Sequence, residues 1–300
     1  MGKRHVYETA GETMVGYRAK PDAPNGAGLL IAPAFCGLRE FEMKQADRFA
    51  ALGYDVLAVD YYGDGWRTED ADAASVKMAT VQNDRAALLR RMRAALAEVR
   101  GWGPAKVGAM GFCLGGKAVL DLARAGDGDA AVLLHGVYDR PPFETVAMPP
   151  VLLCHGWNDP LALPAQFGKL AAELDEHSSD WHALCFGRTG HAFTNPARAD
   201  GTSDMGYVKR SADRSWAAVE AFLAQQLTWR VLMKIWTERA RCPMLCPCPL
   251  ARFPLFPRAS PDSATLKRLW PNLRALSDQS VSPKADINPD RRRQPRGQHT

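Results

Sequence analysis

Cys113 stands in Gly111-Phe112-Cys113-Leu114-Gly115-Gly116, between a strand-like run from Lys106 to Met110 and a helical stretch from Lys117 to Arg124. Glycines on both sides of a thiol permit a turn too sharp for side chains, which lifts the sulfur above a sheet edge. A helix N-terminus behind the sulfur favours the thiolate. A thiolate so placed can attack acyl carbon, provided that a base serves it and a third group orients the base. His191, in Gly190-His191-Ala192-Phe193, follows an apolar run ending at Phe186 and is the expected base. Asp159, in His155-Gly156-Trp157-Asn158-Asp159, follows a run ending at Cys154 and is the expected orienting acid. Acyl transfer also needs two backbone N–H donors for the oxyanion. Leu114, directly after the nucleophile, and Phe35, in Pro33-Ala34-Phe35-Cys36-Gly37, are placed to supply them.

Competing assignments exist for each position. A free cysteine beside a tight turn is often a buried, inert residue, but here strand, turn and helix stand in register around Cys113. His135 and His155 each end a strand-like run and precede glycine, which suits packed core histidines. Asp139 is the rival acid, although the Trp157-Asn158-Asp159-Pro160 loop suits a loop carboxylate better. Trp66, Trp157 and Phe193 lie near these loops and are expected to line an apolar acyl pocket.

The elements that must hold these residues are legible as alternation. Apolar runs short enough for buried strands recur at Gly28 to Ala34, Tyr54 to Val59, Lys106 to Met110, Ala130 to Leu134, Val151 to Cys154 and Trp181 to Phe186. The gaps are long enough for crossovers, and most carry helical periodicity. Phe41, Phe49 and Leu52 share one helical face before Gly53, and Leu88, Met92, Ala95, Leu96 and Val99 form another stripe before Gly101. A last helix carries Trp216, Val219, Phe222 and Leu223 inward. His5 to Thr9 and Met14 to Arg18 suggest a hairpin at the sheet edge. The pattern predicts an α/β fold: a mostly parallel sheet with helices on both faces, spanning residues 1–226.

Residues 227–300 differ in character. They hold 10 of the 21 prolines and 14 Lys and Arg against 5 Asp and Glu, and are expected to form a disordered tail. The tail carries the chain's surplus of +5; the remainder has 24 basic against 28 acidic residues. That body gives no reason to invoke nucleic acid or an anionic membrane as partner. No stretch approaches a membrane span, the N-terminus lacks the apolar run of a signal peptide, and seven cysteines without paired spacing do not suggest a disulfide framework. A cytoplasmic monomer or small homo-oligomer is the resulting expectation. Cys242-x-x-x-Cys246-x-Cys248 matches no firm metal spacing, and no phosphate loop or dinucleotide fingerprint occurs, so no metal and no cofactor is expected.

With Gly111-Phe112-Cys113-Leu114-Gly115-Gly116, Asn158-Asp159-Pro160, Gly190-His191-Ala192-Phe193-Thr194-Asn195-Pro196 and Ala212-Asp213-Arg214-Ser215-Trp216 in this order, residues 5–225 resemble the dienelactone hydrolase family. The resemblance implies an α/β-hydrolase fold without a large cap, a triad of Cys113, Asp159 and His191, and hydrolysis of a small ester or lactone through a thioester. Two departures qualify it. Family members usually hold a glutamate just before the oxyanion-hole residue, where this chain has Ala34; two consequences stand open, a Cys113 more freely ionised by His191, or lower activity unless another carboxylate such as Glu40 substitutes. The arginine that grips the substrate carboxylate in dienelactone enzymes, four residues after the histidine, is Asn195 here, which points away from dienelactone itself. The rival readings are a class I glutamine amidotransferase, disfavoured by Ala192-Phe193 after the histidine, and a non-hydrolytic binding protein or thiol redox sensor built on Cys113.

Overall fold

In the computed structural model, residues 1–198 and 204–228 are described. Eight strands form one sheet: β1 (Lys3–Thr9), β2 (Glu12–Ala19), β3 (Ala27–Ala32), β4 (Asp55–Ala58), β5 (Lys106–Phe112), β6 (Ala130–Leu134), β7 (Val151–Gly156) and β8 (Trp181–Phe186). Their order across the sheet is β1-β2-β4-β3-β5-β6-β7-β8. β1 and β2 form an antiparallel hairpin at one edge and β2 joins β4 antiparallel, while every pairing from β4 to β8 is parallel. Each strand expected from its apolar run is present, as is the edge hairpin.

The parallel strands alternate two inward faces. Leu30, Ala109, Leu133 and Leu153 pack under α3 (Arg85–Gly101) and α4 (Leu114–Arg124), with Leu170 and Leu174 of α5 (Pro164–His177). Leu29, Ile31, Met110, Val132 and Leu152 pack on the other side, against Phe49 of α1 (Glu40–Ala51) and Val219 and Phe222 of α6 (Lys209–Leu223). Apolar side chains on both faces explain why these strands read as continuous hydrophobic runs rather than as alternation. The remaining helix, α2 (Ala71–Asn83), is capped by the Asp70 carboxylate and buries only Ala74 and Val81, so it had the weakest periodic signal.

All described residues fall within one compact unit. Past α6, Leu227 is buried and packs against Gly108 of β5, and Thr228 is buried as well. The rest of the tail expected to be disordered, with Cys242, Cys246 and Cys248, lies outside the described residues. Among the described residues, no helix is long and apolar enough to cross a membrane.

Candidate active site

The carboxyl edge of the sheet carries the site. Cys113 directly follows β5 and caps α4 with φ +54°, ψ −115°, a conformation that L residues rarely hold. Close packing enforces the turn: a Cβ on Gly111 would lie 2.2 Å from the Gly115 carbonyl oxygen, and one on Gly115 would lie 2.2 Å from that of Ala32. Neither position admits a side chain, so the glycines read from the sequence serve the elbow itself.

His191 and Asp159 sit on the loops after β8 and β7. Nδ1 of His191 donates to Oδ2 of Asp159 at 2.7 Å, and both groups are buried. Asp159 is fixed in turn by the Leu161 N–H, which donates to Oδ1 at 2.8 Å. The His191 backbone is held by its N–H donating to the Asp204 carbonyl at 2.7 Å. Nε2 of His191 makes no aligned hydrogen bond, and the ring's remaining strong interaction is with Cys113. Catalytic contacts of this type are often loose before substrate binds.

The two groups set each other's charge. Burial pushes the Cys113 thiol up, but the neighbouring His191 and the Leu114 N–H outweigh it and bring the thiol below its ordinary value. Burial pushes His191 down, yet the Cys113 sulfur and the Asp159 carboxylate raise it to about 10. Each shift favours the charged form of its group, which biases the pair toward a thiolate facing an imidazolium.

A cavity of about 270 Å³ opens over the sulfur. Phe35, Phe41, Phe112 and Met205 supply its apolar wall, and Arg39 and Arg198 its cationic side. The three aromatics expected there lie elsewhere. Phe193 is fully buried against Phe186 and His135, because φ +57° at Ala192 turns the chain back toward the core. Trp157 is half-exposed beside His155 and Phe167, and Trp66 packs on Tyr62 over a separate surface depression. Glu40, named above as one carboxylate that could substitute, is exposed on α1 and pairs with Lys44. Glu42 instead reaches the pocket; it is buried, and that burial raises its carboxyl above the usual range. Asp139, the rival acid, is engaged by Arg85 and Lys117 away from His191.

His135 is the residue nearest the chemistry that the sequence reading set aside. Its ring meets His191 edge to face at 5.0 Å, its Nε2 contacts Thr194 Oγ1 at 2.9 Å, and burial keeps it neutral by lowering it well below the ordinary value. The signal that could have found it is adjacency, since β6 ends at Leu134 beside β5 and delivers the next residue next to the elbow. His155, expected as a core histidine, is buried and its Nδ1 contacts the Tyr138 hydroxyl at 3.1 Å.

Comparisons with known proteins agree with this architecture. The Dienelactone hydrolase family profile matches residues 14–227. A solved structure named m3DLH is 29% identical, with a TM-score of 0.71 over 76% of this chain and 98% of its own. The dienelactone hydrolase-like promiscuous phosphotriesterase from metagenomic libraries is 28% identical, with a TM-score of 0.67 over 75% of this chain and 98% of its own. A Bradyrhizobium protein named "Probable 2-oxo-3-(5-oxofuran-2-ylidene)propanoate lactonase" is 24% identical over 203 residues, covering 62% of this chain and 81% of that protein. On a family match spanning more than two thirds of its length, and on an overall fold shared with m3DLH, the chain belongs to the dienelactone hydrolase family and is an α/β-hydrolase-fold enzyme of the ester- and lactone-cleaving type.

Proposed function

We propose that the protein hydrolyses a small ester or lactone through a thioester on Cys113, with His191 as acid and base and Asp159 as its orienting group. The observation that carries this reading is the depressed Cys113 thiol at a helix N-terminus, facing a histidine whose far nitrogen donates to a buried carboxylate at 2.7 Å. The lactonase name borne by the Bradyrhizobium relative points to the same class of bond.

The thiolate attacks the carbonyl carbon, and the N–H groups of Phe35 and Leu114 receive the charge that moves onto oxygen. Collapse of the tetrahedral species expels the alkoxide, which takes the His191 proton and leaves a thioester. Neutral His191 then removes a proton from water, the hydroxide attacks the thioester, and a second collapse releases acid and restores the thiolate. A cavity of about 270 Å³ fits a small acyl group better than a long chain.

The test is hydrolysis of a short-chain p-nitrophenyl ester by wild type, Cys113→Ala and His191→Ala, with folding checked by circular dichroism. Both variants are expected to be inactive and folded. A Cys113→Ala enzyme as active as wild type would overturn the reading.

A further inference from the structure

Between β3 and α1 the chain passes the sulfur as Pro33-Ala34-Phe35-Cys36-Gly37, and side chains tether its peptide groups one after another. The Tyr61 hydroxyl donates to the carbonyls of Pro33 at 2.8 Å and Ala34 at 2.9 Å. The Tyr62 hydroxyl donates to the Phe35 carbonyl at 2.8 Å. On the opposite side of the Pro33–Ala34 peptide, the Ala34 N–H makes a long contact of 3.4 Å to Oε1 of Glu42, whose Oε2 accepts the Arg39 N–H at 3.2 Å. Tyr61, Tyr62 and Glu42 are 1%, 4% and 2% exposed, so three polar side chains have been buried around one short loop. Packing alone would be served by Phe and Leu without the desolvation that hydroxyl and carboxyl groups incur.

Peptide geometry says what the tethers accomplish. The described residues contain no cis peptide, and in a trans peptide the C=O and N–H point in opposite directions. A hydroxyl that holds the Ala34 carbonyl therefore aims the N–H of Phe35, in the same peptide unit, the other way. Ala34 and Phe35 both line the Cys113 cavity, and among the described residues the Phe35 N–H donates to no protein acceptor. The loop also lies directly on the first turn of α4, since a Cβ on Gly115 would meet the carbonyl oxygens of Ala32 and Pro33 at 2.2 and 2.4 Å. That contact sets the loop against the turn that carries Leu114, whose N–H meets the Cys113 sulfur.

We infer that Tyr61, assisted by Tyr62 and Glu42, is a positioning residue that fixes the Ala34–Phe35 peptide with its N–H directed at the developing oxyanion. The inference rests on the thiol-hydrolase reading, and its experiment separates the two. Tyr61→Phe removes one hydroxyl and keeps the ring. For p-nitrophenyl acetate its kcat falls ~10- to 100-fold with KM within about threefold, somewhat less than loss of a whole oxyanion donor. Alkylation of Cys113 by iodoacetamide, a displacement at saturated carbon that forms no oxyanion, keeps its wild-type rate and pH profile. Tyr62→Phe and Glu42→Gln show the same split at smaller size. A wild-type kcat in Tyr61→Phe, or a parallel fall of turnover and alkylation, overturns the inference. Amide hydrogen exchange over residues 33–39 supplies a readout independent of turnover: faster exchange at Ala34 and Gly37 in Tyr61→Phe is expected, and unchanged exchange also overturns it. A wild type inert toward esters would count against the hydrolase reading alone, because the tether is then judged by exchange.

Discussion

Helix α4 carries two buried polar regions of opposite character. At its first turn lies the Cys113 site, where Nδ1 of His135 and Nε2 of His191 make no aligned hydrogen bond and Cys113, His135 and Ala192 all have positive φ. On its flank lies an ionic network in which every group is engaged. Arg85 grips Asp121 with two N–H groups at 2.7 Å and reaches Asp139 at 2.6 Å; Lys117 reaches Asp139 at 2.6 Å. Arg124 binds Glu173 at 2.8 and 3.0 Å and donates to the Asp139 carbonyl at 3.0 Å. Arg140 adds a looser contact to Glu173 at 3.5 Å, so four cations face three carboxylates. The contrast separates two uses of buried polarity: a network that serves architecture is saturated, whereas the site proposed to act on a substrate keeps strained backbone and unaligned polar atoms.

Cys113→Ala is expected to lower kcat by ~10⁴-fold or more, equivalent to about 5 kcal/mol of transition-state stabilisation. Its urea-unfolding free energy should stay within about 1 kcal/mol of wild type, since the loss is one small, partly buried group. A large stability loss in the same variant would mean that the site is architectural after all.

The network should respond in the reverse sense. Arg124 is fully buried, so Arg124→Met leaves Glu173 and Asp121 short of a partner and should destabilise the fold by about 3–5 kcal/mol. The folded fraction should still alkylate Cys113 at the wild-type rate. Acid acts on two of these groups: burial opposes ionisation of Asp139 and Glu173, but their hydrogen bonds to Lys117 and Arg124 outweigh it and hold both carboxyls below their ordinary values, whereas at Asp121 burial prevails and raises the carboxyl. Their contribution is therefore present above the unfolded values of about 4 and is lost as pH falls through and below them. An unfolding free energy that did not drop between pH 5 and 3 would contradict this.

The positions of these two regions were unequally visible in the sequence. Cys113, Asp159 and His191 each follow the end of a parallel strand, and an apolar run closed by glycine or a polar turn marks such an end clearly, so the three could be placed together without knowing any loop. The cavity wall could not, because it depends on which way loop side chains turn. Phe193 lies two residues from His191 yet points into the core, and Glu40 and Glu42 lie on opposite sides of α1, so one meets solvent and the other the pocket. The ionic network was invisible for a related reason. Its members come from α3, α4, α5 and the loop after β6, and nothing in partner separations of up to 54 residues announces a common cluster.

A smaller effect sharpens the electrical side of the contrast. The Cys113 thiol is below its ordinary value because His191 and the Leu114 N–H outweigh burial. The midpoint of iodoacetamide alkylation against pH should therefore lie below the reference value of about 8.5 in wild type and above it in His191→Ala, where burial acts with less opposition. The reciprocal shift belongs to His191: in Cys113→Ala its imidazole loses the thiolate and should titrate below the wild-type value of about 10, as followed by NMR of the ring. Because a raised histidine value stabilises the fold below its unfolded pKa and fades as pH rises through the folded one, wild type alone should lose stability on approaching pH 10 from this source.

The smallest expected effect tests where the pocket ends. Trp157 sits one strand-end loop from His191, has the type of side chain that lines acyl pockets, and is 47% exposed. Its contacts are with His155 and Phe167, on the α5 side of the sheet, rather than with the cavity over Cys113. Trp157→Ala should thus leave KM for a short-chain ester unchanged and cost about 1 kcal/mol or less, because a half-exposed ring loses only part of its buried area. Phe41→Ala, on the cavity wall, is the matched control and should raise KM severalfold. If the tryptophan variant instead raised KM as much as the Phe41 variant, the substrate would have to extend over β7, and the cavity above the sulfur would be only the first of two subsites.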